Sequence, residues 1–202
     1  MKRILFIYLA LVSLAFAHNY DDVLLKAQAS IFPKILLLDK KLDNKLIDGK
    51  IVYTIVYNNS DYNVALEIGK YIDLKYKGYL DTYSYTLNFV ECSKFSEDTK
   101  ASAIYILNVN GCVKKIADIA KEKGIISFSY DIMDLREGIM FSLLIEKSTI
   151  LYLNKDTLGT QKIDFVDSLL QIVKFIDSSS FEDLSLLDSD PIPKSKSSRP
   201  GV

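Results

Sequence analysis

The chain is 202 residues long, with 49% hydrophobic residues, 25 Lys and Arg against 26 Asp and Glu, and a formal net charge of −1. That length suits one domain with a substantial core plus some tail. So mild a charge balance gives no electrostatic reason to expect nucleic acid, and no basic stripe interleaved with aromatics runs through the sequence.

Lys2 and Arg3 open the chain, Ile4 to Leu14 form an apolar run, and Ala15-Phe16-Ala17 puts small residues where a signal peptidase cuts. This pattern predicts a secretory signal peptide over residues 1–17, too short for a membrane span; an uncleaved anchor is the alternative. Cleavage after Ala17 leaves 185 residues (202 − 17) and, without Lys2 and Arg3, a charge of −3. No later stretch holds about 18 uninterrupted apolar residues, so no membrane insertion is expected after cleavage. The Lys- and Ile-rich, Trp-free composition fits a bacterium of low G+C content, which makes the expected destination the periplasm.

Val23, Leu24, Ala27, Ile31, Ile35 and Leu38 follow helical spacing from Asp21 onward, with Asp21 or Asp22 as cap and Pro33 as a kink or break. A polar connector ending in a Gly turn leads to "IVYTIVY" (51–57), a run as continuous and β-branched as a strand buried on both faces. Ser60 or Asp61 is placed to cap a helix through about Tyr76. "SYTLNFVE" (84–91) and "SAIYILNV" (102–109) read as strands, 111–123 as a helix stopped by Gly124, and "IISFSY" (125–130) as a fourth strand. This alternation predicts βαβ units and a mostly parallel sheet between helices. "IMFSLLIE" (139–146) and "TILYLN" (149–154) are joined by only Lys147 and Ser148, so they form an antiparallel hairpin. Polar Lys155, Asp156 and Thr157 lead into a predicted long helix that runs to about Ile176. The Ser-, Asp- and Pro-rich remainder, 177–202, reads as a disordered tail. The expected architecture is a three-layer α/β sandwich: one domain over 18–176, with a C-terminal antiparallel hairpin and a final long helix.

Cys92 and Cys112 are a candidate disulfide in an oxidising compartment, the alternative being two separate buried thiols. Bridging them would constrain the unfolded chain by roughly 3 kcal/mol. His18 is the sole histidine, which removes Ser-His-Asp and Cys-His catalysis and the common His-containing zinc sites. It would become the first mature residue, yet a copper brace needs a second His. No nucleotide-binding Gly loop and no C-x-x-C is present. The remaining chemistry lies in "DIMDLREG", where Asp131, Asp134, Arg136 and Glu137 follow the fourth strand at its carboxyl end, the side on which open α/β sheets bind ligands. Paired carboxylates there could serve a hydrolase. The expected reading is a solvated connector that forms part of a partner or ligand surface, with Gly138 as the structural turn into the hairpin. On that reading, replacing Asp131 and Asp134 together by Ala leaves melting nearly unchanged.

The run "IISFSYD…EGIMFSLLIEKSTILYLNKDTLGTQKIDFVDSLLQIV" resembles the C-terminal signature of the YfiR family of exported proteins. The matching positions are Asp131, Gly138, the strand Ile139 to Ile145, Asn154, Gly159 and Leu169-Leu170. At the front, "KAQASIFPKILLL" (26–38) looks like the family's opening Lys-Ala helix, and the likeness covers residues 22 to 176. The sequence departs from the pattern where "DKK" replaces the aromatic-Pro pair and Glu137-Gly138 replaces the double Gly. The resemblance implies a non-enzymatic, cofactor-free periplasmic regulator of cyclic di-GMP signalling and biofilm formation. Its expected partner is the periplasmic domain of an inner-membrane diguanylate cyclase or sensor kinase, with a homodimer as a further assembly. The alternative is a periplasmic small-molecule binding protein that uses the crevice at the strand ends.

Overall fold

The computed structural model describes residues 20–180 except 110, 162 and 178. The predicted signal peptide, His18 and all but the first residues of the predicted tail lie outside the described residues. Helix α1 (Asp22–Leu36) starts where Asp21 Oδ1 accepts the Val23 and Leu24 amides at 2.7 and 3.1 Å. Pro33 falls in its last turn, so the bond it removes does not divide the helix.

Strand β1 (Ile51–Tyr57) follows, then α2 (Tyr62–Tyr76), and Lys77 and Gly78 take left-handed conformations that turn the chain back. The two-residue β2 (Tyr79–Leu80) then pairs antiparallel with the start of β3 (Tyr83–Glu91). Next come β4 (Ala103–Ile106), α3 (Val113–Lys123), a left-handed Gly124 at φ 63°, and β5 (Ile126–Ser129). A 3₁₀ turn, Ile132–Glu137, leads through Gly138 into β6 (Phe141–Ile145) and β7 (Thr149–Asn154), the expected antiparallel hairpin. With a last short strand, β8 (Lys174–Ile176), the eight strands lie in the order β2-β3-β1-β4-β5-β6-β7-β8, and β3, β1, β4, β5 and β6 run parallel. This is the mostly parallel, three-layer α/β fold.

Strand alternation sends Ile51, Tyr53 and Ile55 of β1 into one core, with α1 and α2, while Val56, Ile104 and Ile106 meet α3 in the other. Phe128 is central to the first, stacked with Phe32 and Phe141 at centroid distances of 4.7 and 5.6 Å.

The single long helix expected after Thr157 to about Ile176 is replaced by α4 (Lys155–Thr160), an extended link, α5 (Asp167–Ile172) and β8 (Lys174–Ile176). The extended link is captured by the chain leaving α1. Phe165 bridges Asp39, the Lys40 amide donates to the Asp164 carbonyl at 2.8 Å, and the Val166 amide donates to Leu38 at 3.0 Å. Those bonds satisfy the backbone in extended form, and β8 then pairs parallel with β7, so the hairpin is not the sheet's edge.

Candidate functional site

From β1 the chain proceeds to β3 on one flank, whereas β4 pairs on the other, so the carboxyl end of β1 lies at the point where strand order reverses. In open α/β sheets that crevice is the usual ligand position. Here Asn58 follows β1, and its Nδ2 donates to the Asn108 carbonyl beyond β4 at 2.7 Å. Tyr20 lies in the same place. Its hydroxyl donates to Asp61 Oδ2 at 2.9 Å and accepts the Asn108 amide at 3.1 Å. Its ring meets Tyr130 edge-on with centroids 4.7 Å apart, and the Tyr130 hydroxyl accepts the Asp21 amide at 2.8 Å. Burial pushes both phenols upward, so both stay protonated.

Asp61 is only 4% exposed and stands at the start of α2, but it makes no capping bond, contrary to the expected cap by Ser60 or Asp61. The preceding 3₁₀ turn (Asn59–Asp61) leaves its carboxylate to Tyr20 and the Ser60 hydroxyl instead. Behind the crevice, fully buried Gln28 reaches from α1. It accepts the Tyr105 hydroxyl at 2.7 Å and donates to the carbonyls of Tyr130 and Leu143 at 3.2 and 3.3 Å. Tyr20 thus stands in the crevice, its hydroxyl bonded on both sides to Asp61 and Asn108.

The Cys92–Cys112 disulfide is formed, with Cα atoms 6.3 Å apart. Cys92 follows β3 and Cys112 precedes α3, so the bridge passes over the end of β1 and anchors the segment that carries Asn108.

The acidic knot behaves differently from a solvated connector. Because β6 is parallel to β5, with Phe141 level with Phe128, the chain must return along the α3 face toward the amino ends of the strands. Ile132 and Leu135 are buried in the core there. Asp131 begins the turn at the carboxyl end of β5, where Oδ1 caps the Met133 amide at 2.8 Å. Asp134 is half-buried, and its Oδ2 accepts the Ser129 hydroxyl at 2.5 Å. Burial chiefly, with the Asp131 and Glu137 charges, raises its carboxyl to about 6 against the pull of the Ser129 bond. Arg136 and Glu137 are exposed. The far end is pinned by Asn154 Nδ2 to the Leu135 carbonyl at 2.6 Å and by the Thr157 hydroxyl to Gly138 at 3.1 Å. Gly138 is the expected turn, at φ 101°. The four candidate residues therefore do not gather at the crevice; only Asp131 lies near it.

Sequence reasoning passed over Tyr20, Asp61, Asn108 and Tyr130 as a group. The available signal was positional, since Asn58, Asn108 and Tyr130 each lie at the carboxyl end of a predicted strand or directly after it. Among the described residues, no cluster of three or more His, Cys, Asp or Glu side chains could hold a metal ion, and no helix is long and apolar enough to cross a membrane.

No family model and no curated protein matches this chain. Among solved structures, it is similar to a conserved domain protein from Vibrio cholerae O1 biovar El Tor, at 15% identity and a TM-score of 0.53. The match covers 75% of this chain but 59% of that one, so this chain spans well under two thirds of that protein's length. A weaker likeness, 10% identical with a TM-score of 0.45, is to an ABC domain from Streptococcus pneumoniae solved with L-Trp, covering 70% of this chain and 61% of that one. The Vibrio match bears on fold, and it agrees with the layered α/β architecture.

Proposed function

We propose that this chain is an exported, non-enzymatic regulatory protein that binds the periplasmic domain of an inner-membrane signalling protein, a diguanylate cyclase or a sensor kinase. The sequence resemblance to the YfiR family motivates the reading. One structural observation supports it: in the crevice where this fold class normally holds a ligand stands the chain's own Tyr20, bonded to Asp61 and Asn108. Contact then falls to outer surfaces. The 3₁₀ turn offers exposed Arg136 and Glu137 on a backbone pinned at both ends, and such preorganisation lowers the ordering cost of binding. The disulfide suits an oxidising destination such as the periplasm.

The experiment is a pull-down from detergent-solubilised membranes with the purified protein, with and without reductant. Capture of one membrane cyclase or kinase, lost on charge reversal at Arg136 and Glu137, supports the reading. Failure to retain any such protein overturns it. The competing small-molecule reading requires Tyr20 to leave the crevice. It predicts a ligand that raises the melting temperature and speeds amide exchange at Asn108.

A further inference from the structure

Among the described residues the sheet ends at β2 and β3, and none of them pairs with the far side of β3 beyond Tyr85. β2 pairs only with Tyr83 and Ser84, so among the described residues β3 from Thr86 onward has a neighbour, β1, on one side alone. The Tyr85 amide donates away from β1, to the Gly78 carbonyl at 3.2 Å. Main-chain groups alternate sides along a strand, so Leu87, Phe89 and Glu91 also direct their N–H and C=O groups toward the open edge. Natural edges are commonly blunted by Pro, Lys or a bulge. The stretch "LNFVE" (87–91) holds neither Pro nor Lys, and its pairing with β1 runs without a bulge through Tyr57↔Glu91.

Apolar surface flanks this edge. Leu66 and Leu74 of α2 are 41% and 64% exposed, and Tyr79 of β2 is 60% exposed. Between α2 and β3 runs a groove of about 780 Å³ that Leu66, Gly69, Leu74, Leu87 and Phe89 help to line. Gly69 lets the helix settle on the strand, since a Cβ there would come within 2.6 Å of the Phe89 ring.

We propose that this edge pairs antiparallel with the same edge of a second copy, about a two-fold axis at Phe89, joining the two sheets into one. The register is self-complementary. With Phe89 opposite Phe89 of the second copy, Leu87 falls opposite Glu91 and Asn88 opposite Val90, and every outward-facing group between 87 and 91 gains a partner. Charge agrees as well. Glu91 is the one ionisable residue in the stretch, and this register sets it against Leu87, so no like charges meet. A two-fold axis also brings both copies of the leucine-bearing α2 face to the same interface. The inference is independent of the membrane partner above, which the Arg136 and Glu137 surface would meet.

The test is sedimentation velocity of the purified chain over a dilution series, paired with amide hydrogen exchange. A reversible dimer is expected, with slowed exchange at Leu87, Phe89 and Glu91 that quickens on dilution. Phe89→Lys sets like charges face to face at the axis and should weaken association by about tenfold or more. Because Phe89 also packs on Gly69, a second variant, Leu66→Glu with Leu74→Glu, changes only exposed positions and should weaken the dimer without loss of melting temperature. A wild type that stays monomeric at every concentration overturns the proposal, as does a dimer that both variants leave intact. A monomer that takes up an extended segment of another protein at this edge would also overturn it.

Discussion

Replacing Asp134 by Asn gives the sharpest measure of the knot. The wild-type carboxyl is raised from 3.8 to about 6, mainly because it is withdrawn from water. Between those values the folded chain holds a proton that the unfolded chain has released. The stability this group contributes therefore falls as pH rises through that window, and it levels off above the folded value. Two pK units at 1.36 kcal/mol each give an upper bound of about 3 kcal/mol, and water penetration at a partly buried site reduces it to about 2 kcal/mol. Asn keeps an oxygen that can accept the Ser129 hydroxyl but carries no charge to desolvate. Urea unfolding of both proteins at a series of pH values from about 4 to about 8 should show curves that converge at the acid end. Above about pH 6 the Asn variant should be the more stable by about 2 kcal/mol. A difference between the two proteins that stays constant across the range would refute the reasoning, because an exposed carboxylate has no such pH signature. The same result bears on the expectation that removing both acids is silent, since Asp131→Ala deletes the Met133 cap as well.

Reduction of Cys92–Cys112, or Cys92→Ser with Cys112→Ser, should lower unfolding free energy by about 3 kcal/mol in a urea titration, with reductant having no effect on the double variant. Asp39→Ala should cost about 3 kcal/mol or more by thermal or chemical unfolding. Asp39 is 4% exposed and ion-paired with Lys45, whose own ammonium is pulled downward chiefly by burial, so the change strands a partly buried cation. Tyr20→Phe removes the hydroxyl between Asp61 and Asn108. It should cost about 1–3 kcal/mol and speed amide exchange at Asn108, while Val23→Ala, at an exposed neighbouring position, should do neither.

Much of this architecture is set locally. The β-branched run 51–57 can satisfy and bury itself only inside a sheet, a two-residue link admits only a hairpin, and Gly124 and Gly138 take the left-handed turns that other side chains resist. Cys92 and Cys112 were legible as a pair, though whether their Cα atoms approach is a matter of how β3 and α3 flank β1. The rest was decided by contacts distant in sequence. The stretch after Thr157 to about Ile176 carries helical spacing, but the chain leaving α1 offers the 163–166 link backbone partners that outweigh that local preference, and β7 offers the same to β8. Asp134 looks like a surface acid until parallel pairing of β5 and β6 forces its turn onto the α3 face and out of water. Nothing near Tyr20 in the sequence announces that its hydroxyl meets Asp61 and Asn108. That arrangement exists because the reversal of strand order brings three separate segments to one crevice, and no periodicity within a single segment encodes such a meeting.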